Sequence, residues 1–262
     1  MITRHHLALV LMCTLILGMA LFPSEPVTLG VLVAGSCIGA ILPDIQMTKP
    51  KKICVRTIIW CITRISSVLF VPILQVLSRI VNGVSFSPAD KRLTHSVPGI
   101  LIIGAIITGL STIPVLILIP SPVPFLLIAF PAGVMIGLVL HLFEDACTRK
   151  GIAPFFPFST IRIAGSIRPC DRADSRIAQY HFHHCSMAFV IFALHFSGAW
   201  PESMSVALSL FALCSCLAMI VWFSDVRIET CCLPSENSIP AHSIPKNFTK
   251  RKFVPARKDR QT

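Results

Sequence analysis

The chain has 262 residues, of which 54% are hydrophobic and only 13% charged, with a mean hydropathy of +0.76. Soluble domains carry roughly twice that charged fraction, so a water-soluble fold is excluded and an all-α polytopic membrane protein is expected. The net charge of +11 then reports on topology and on contact with anionic lipid, not on nucleic acid, for which the sequence holds no motif.

In chain order, residues 7–22 form the first apolar run. No small-x-small cleavage site follows and more spans come after, so the run reads as a retained span and not as a signal peptide. Pro23-Ser-Glu-Pro26 turns the chain, and residues 27–43 run back to Asp44. Residues 53–81 are apolar but are interrupted by Arg56, Arg64, Pro72 and Arg79, which fits a helix lying in the membrane interface. A polar loop, 82–96, follows; Ser96 is a suitable N-cap and Pro98 suits a first helical turn. Residues 97–119 and 123–143 form a second hairpin, and 185–200 with 204–223 a third. The expected architecture is therefore about six transmembrane helices in three hairpins plus one interfacial helix. It divides into a membrane-embedded domain, 1–223, and a basic tail, 224–262. The last seventeen residues of that tail carry seven basic side chains and one Asp, a composition for disorder or for resting on anionic headgroups.

Charge fixes the expected orientation. With six spans, all 23 Lys and Arg fall on the side holding residues 1–6, 44–96, 144–184 and the tail, while the opposite turns carry only Glu25 and Glu202. The positive-inside rule makes that side cytoplasmic, with both termini, in a cell inner membrane.

This topology gathers chemistry at one level. His141 and Asp145 lie four apart, on one face of a helix; Asp44 ends the second run, His95 precedes the third and His6 precedes the first. Imidazole and carboxylate are ligands for a divalent metal ion, zinc or manganese above all, and an incomplete protein shell leaves room for water. The same residues also suit a hydrogen-bonded or ion-paired cluster with no metal, or plain capping of spans at the interface. His181-Phe-His183-His184 ranks lower, because a His cluster before a span is more often interfacial.

His6-Leu-Ala-Leu, Leu-Pro-Asp-Ile at 42–45, Leu-Thr-His-Ser at 93–96 and Gly-x-x-x-His-x-x-x-Asp-x-x-Thr-x-x-Gly-Ile at 137–152 occur in this order. Over about residues 1–160 the chain resembles the YdjM-like family of bacterial and archaeal inner-membrane proteins described as metal-dependent hydrolases. The resemblance implies a metal set of His6, Asp44, His95, His141 and Asp145, with Asp44, His95 and Asp145 catalytic and Thr94 and Ser96 orienting the ligands. It departs from the family pattern at Gln46, a weaker ligand than the expected carboxylate, and at Asp90-Lys91-Arg92, where the family has His-Arg-Gly. Asp90 keeps a carboxylate able to bind a metal.

The expected activity is a metal-dependent hydrolase working at the inner leaflet. Lys91 and Arg92 would meet an anionic group of a lipid-like or phosphorylated substrate, a lipid-linked phosphoester being the natural choice at headgroup depth. Membrane lipids are the expected partners. The competing expectation is a non-catalytic membrane protein whose His/Asp cluster is a structural ion-pair network. A transporter ranks last, because the spans hold almost no ionisable residue near mid-membrane.

Overall fold

The computed structural model describes residues 3–45, 55–83, 86, 90, 92–118, 125–171, 173–198 and 201–230. These form seven α-helices: α1 (Thr3–Leu21), α2 (Pro26–Ile45), α3 (Val55–Asn82), α4 (Val97–Leu118), α5 (Phe125–Ala146), α6 (Arg176–Phe196) and α7 (Glu202–Ser224). Two short strands, β1 (Ile161–Ala164) and β2 (Arg227–Thr230), complete the set. One compact unit spans Met1–Cys231.

Four of the helices are long and apolar enough to cross a membrane, over Arg4–Leu21, Pro26–Asp44, Leu126–Ala146 and Met204–Ser224. Among the described residues, the apolar stretches of α4 (Val97–Ile113) and α3 (Phe70–Val81) are shorter. The expectation of about six spans thus meets four helices that qualify by length and composition. Helices suit this environment because they close their own backbone hydrogen bonds where no water can. Large side chains face outward, among them Phe189, Phe211 and Trp222, as lipid permits.

The sequential pairs α1–α2, α4–α5 and α6–α7 each pack together. In the first, Glu25 starts α2: its carbonyl accepts the Leu29 N–H at 3.0 Å and its carboxylate accepts the Thr28 hydroxyl at 2.8 Å. Pro26 follows at the first helical position, where a missing N–H leaves no bond unmade.

The closest helix pair is α2 with α5, and glycine makes it so. A Cβ added at Gly35 or Gly39 would collide with the carbonyl oxygen of Phe130 or Val134, and one at Gly133 or Gly137 with that of Leu32 or Ser36. Both helices therefore carry a Gly-x-x-x-Gly face turned to the other, the small-residue packing that lets backbones touch in a membrane. Leu42, Ile103, Val134, Leu138 and Leu142 fill the core beside it, with α4 closing over them. A second core of Ile16, Met19, Ala188, Ile191, Ala212 and Cys216 joins α1, α6 and α7, and α1 also touches α5.

The helix α5 runs past its apolar run to Ala146 and carries His141 and Asp145 within it, as their spacing implies. Two boundaries differ from the sequence expectation. Residues 176–184, expected as a polar connection, are the opening turns of α6. Residues 227–230, expected in the tail, form β2, which pairs antiparallel with β1 in the register Ile161↔Thr230 to Ala164↔Arg227; the tail from 231 onward and Gln46 lie outside the described residues. The helix α3 continues through Pro72 and buries Val71, Leu74 and Ser78 on one face, leaving Ile73, Val76 and Ile80 exposed.

Candidate metal centre

Four elements end at one place. The first turn of α1 brings His6, the last turn of α2 Asp44, the turn before α4 His95, and the last turns of α5 His141, Glu144 and Asp145. The glycine contact between α2 and α5 sets Asp44 beside His141, since both lie one to two turns beyond it.

The imidazoles converge on Asp145. His6 Nε2 lies 3.2 Å from Asp145 Oδ1, His95 Nε2 3.5 Å from Asp145 Oδ2, and His141 Nε2 3.6 Å from Asp145 Oδ2. Asp44 Oδ1 is 3.7 Å from His95 Nε2. The His6 and His141 rings stack at 4.1 Å between centroids, and the His95 ring stands 5.4 Å from that of His141. Ligand atoms of His6, Asp44 and His141, and of His95, His141 and Asp145, each lie within 4.8 Å of one another.

The opposite ring nitrogens are each tied down. His141 Nδ1 donates to the Ala40 carbonyl at 2.7 Å, and His6 Nδ1 donates to the Glu144 carboxylate at 2.8 Å. His95 Nδ1 meets the Thr94 hydroxyl at 3.2 Å. In a neutral imidazole an Nδ1–H leaves the lone pair on Nε2. His6 Nε2 and His141 Nε2 are both buried and make no hydrogen bond, so two buried lone pairs face one carboxylate. Acceptors facing acceptors repel, and the arrangement calls for a positive charge between them: a metal ion or a proton. The donor set fits a divalent ion, and hydrogen-bonded Nδ1 atoms are the usual outer support of metal-binding histidines.

The other expected residues fall around this centre. The Thr94 hydroxyl lies beside His95 Nδ1. Ser96 caps α4, the place its sequence position suits: its hydroxyl donates to Leu93 O at 2.7 Å and accepts the Gly99 N–H at 3.3 Å, which holds the turn carrying His95. Arg92 is engaged by Asp90, donating from Nη2 to Oδ2 at 2.7 Å, and lies 4.4 Å above the Phe156 ring. Partial burial opposes ionisation of Asp90, but the Arg92 hydrogen bonds and charge hold its pKa below the usual value. Lys91 lies outside the described residues.

Glu144 lies outside the expected ligand set, yet it joins this centre as the partner of His6. It is 3% exposed, and a carboxylate so buried needs the donor that His6 supplies. The lower-ranked His cluster stays apart from the centre: His181 meets His5 edge-on at 5.3 Å, and His184 donates from Nδ1 to Tyr180 O at 2.7 Å. A cavity of about 1200 Å³ opens from Asp44, His95 and Asp145 along residues 148–153 and 167–171.

A bundle of apolar helices with a His/carboxylate centre at one end defines a membrane protein with potential metal ligands. The chain belongs to the YdjM inner membrane protein family, whose sequence profile matches residues 1–226. No curated protein and no solved structure gives a significant match.

Proposed function

We propose that the protein is a membrane-bound, metal-dependent hydrolase whose site faces the cytoplasm at the inner leaflet and acts on a phosphoester of a lipid or lipid-like substrate. The observation that carries this reading is the pair of buried, unbonded Nε2 atoms of His6 and His141 turned toward Asp145. His6, His95, His141, Asp44 and Asp145 would hold a divalent ion, zinc or manganese. Bound there, such an ion would lower the pKa of a water molecule towards ~7 and polarise a phosphoryl oxygen.

The protein's own residues supply the rest. Glu144, the Ala40 carbonyl and Thr94 fix the three rings so that each presents Nε2 inward. Asp44 and Asp145 border the cavity and can accept a proton from an attacking water. Arg92, pinned by Asp90 over Phe156, puts a cation at the cavity wall. The topology proposed with this function has six spans, α3 at the interface and both termini cytoplasmic; the placing of all 23 Lys and Arg on one side supports it.

A structural ion-pair network is the second reading, favoured by the buried 2.8 Å contact of His6 with Glu144. In that case the positive charge is a proton on imidazole. Incubation of the wild type with short-chain lipid phosphoesters, with product release followed by mass spectrometry, separates the two. Hydrolysis abolished by EDTA and by Asp145→Ala supports the enzyme; no turnover of any ester with any divalent ion added opposes it.

A further inference from the structure

The turn that follows α5 carries two adjacent cations, Arg149 and Lys150, on the wall of the cavity that opens from the His/Asp centre. Both side chains are exposed, and among the described residues neither has a carboxylate within ion-pair distance. Four carboxylates line the same cavity: Asp90 is paired with Arg92 at 2.7 Å and Asp171 with Arg168 at 4.0 Å, while Asp44 and Asp145 face His95 in the centre.

The turn is held in place by its backbone. The Arg149 N–H donates to Ile167 O at 2.9 Å, and the Arg162 guanidinium donates to the carbonyls of both Arg149 and Lys150. Gly151 closes the turn at φ +60, and a Cβ there would strike Ile163 O and Ala164. Ile152 and Ile167 add apolar surface to the same cavity. Two cations on a backbone-held turn, ion-paired with no carboxylate among the described residues, stand beside a potential metal centre with apolar wall next to them, and this matches a phosphate group carried on an apolar body.

We propose that Arg149 and Lys150 form a phosphate-binding subsite, so that the cavity takes a phosphate monoester or diphosphate and positions it against the His/Asp centre. The inference rests on the hydrolase reading for any chemistry after binding, but anion capture by the turn is separable from it. The anion comes either from a lipid headgroup or from a soluble phosphate.

The test uses the full chain in detergent, with and without EDTA, and measures binding of dihexanoyl phosphatidic acid, dihexanoyl phosphatidylcholine and inorganic pyrophosphate by calorimetry. Wild type, an Arg149→Gln/Lys150→Gln variant, a charge-keeping Arg149→Lys/Lys150→Arg variant and the exposed-helix control Arg79→Gln are compared, each checked for unchanged melting. The expected result is binding of phosphatidic acid weakened about tenfold or more by the double Gln variant, kept by the charge-keeping variant and untouched by Arg79→Gln. Pyrophosphate binding as tightly, with the same dependence, assigns a soluble phosphate; phosphatidic acid binding alone assigns a lipid. The proposal is overturned if the double Gln variant binds like wild type, if Arg79→Gln weakens binding equally, if phosphatidylcholine matches phosphatidic acid, or if wild type binds neither phosphate. Elemental analysis of the same samples keeps the two readings distinct. Metal present with binding indifferent to Arg149 and Lys150 sinks the subsite alone; binding that depends on them in a protein that takes up no metal sinks the hydrolase alone.

Discussion

His141 of α5 donates from Nδ1 to the carbonyl oxygen of Ala40 in α2 at 2.7 Å. This one bond ties the orientation of a potential metal ligand to the closest helix contact in the fold. It forms only because Gly39 and Gly137 let the two backbones meet.

Gly137→Leu is therefore expected to separate α2 from α5, because its Cβ alone meets the Ser36 carbonyl and the Ala40 nitrogen. Overpacking of this kind costs about 1–3 kcal/mol or more. Melting in detergent should fall, and divalent-ion binding should fall with it. A variant as stable as wild type that binds metal normally would show that the contact does not position the centre.

Glu144→Gln tests the support of His6. A Gln side-chain oxygen can still accept from Nδ1, so the fold should survive, while loss of the carboxylate should weaken metal binding by about 10–100-fold. Glu144→Ala should in addition cost about 1–3 kcal/mol by leaving a buried donor unpaired. Competition titration with a metal-binding dye reads the first, and thermal unfolding the second. An unchanged affinity in Glu144→Gln would make Glu144 a packing residue only.

The ends of the bundle are legible in the sequence because apolar runs bounded by His and Asp mark where helices leave the lipid. His6, Asp44, His95, His141 and Asp145 fall on one level by that reading, and the structure brings those five together. Glu144 is visible in the sequence as a second charge beside Asp145, but only the packing of α1 reveals that the α5 face turned to His6 includes it. The α2–α5 contact was present as Gly-x-x-x-Gly at 35–39 and 133–137, a spacing easily taken for ordinary apolar composition. The opening of α6 was obscured by its polarity: Arg176, Gln179 and three histidines read as connection. The pairing of β1 with β2 joins four-residue segments more than sixty residues apart, and no local pattern reports such a pairing.

Asp174 gives a pH prediction away from the membrane-spanning segments. Its carboxylate accepts from Arg176 Nη2 and Nε, which hold its pKa down from 3.8 to about 2. Arg176 also donates to Ser166 and to the Phe223 carbonyl, so the pair anchors the segment before α6 to the end of α7. A carboxyl whose folded pKa is depressed contributes stability that is fully present above its unfolded pKa and is lost as pH falls through the folded one. The melting difference between wild type and Asp174→Asn should thus be constant above about pH 5 and shrink between about pH 4 and about pH 2. A difference that stays flat across that range would remove the ion pair from the stability of this segment.

The proposed orientation puts the loop before α4 and the loop after α5 on the same, cytoplasmic side. Reporter fusions at Lys91 and at Ser159 should both give cytoplasmic signals. A periplasmic signal at Lys91 alone would mean that α3 crosses the membrane, and the two loops could not share a site.

The most direct measurement is the metal content of the full-length protein purified in mild detergent without chelator. A metal centre of this kind should hold about one divalent ion per chain or more, zinc, manganese or iron, with most of it lost in His141→Ala and in Asp145→Ala while helical content is kept. Protein that is metal-free by elemental analysis, takes up none on dialysis against those ions and melts identically with and without EDTA would contradict the metal centre. The charge between His6, His141 and Asp145 would then be a proton, and the cluster a structural one.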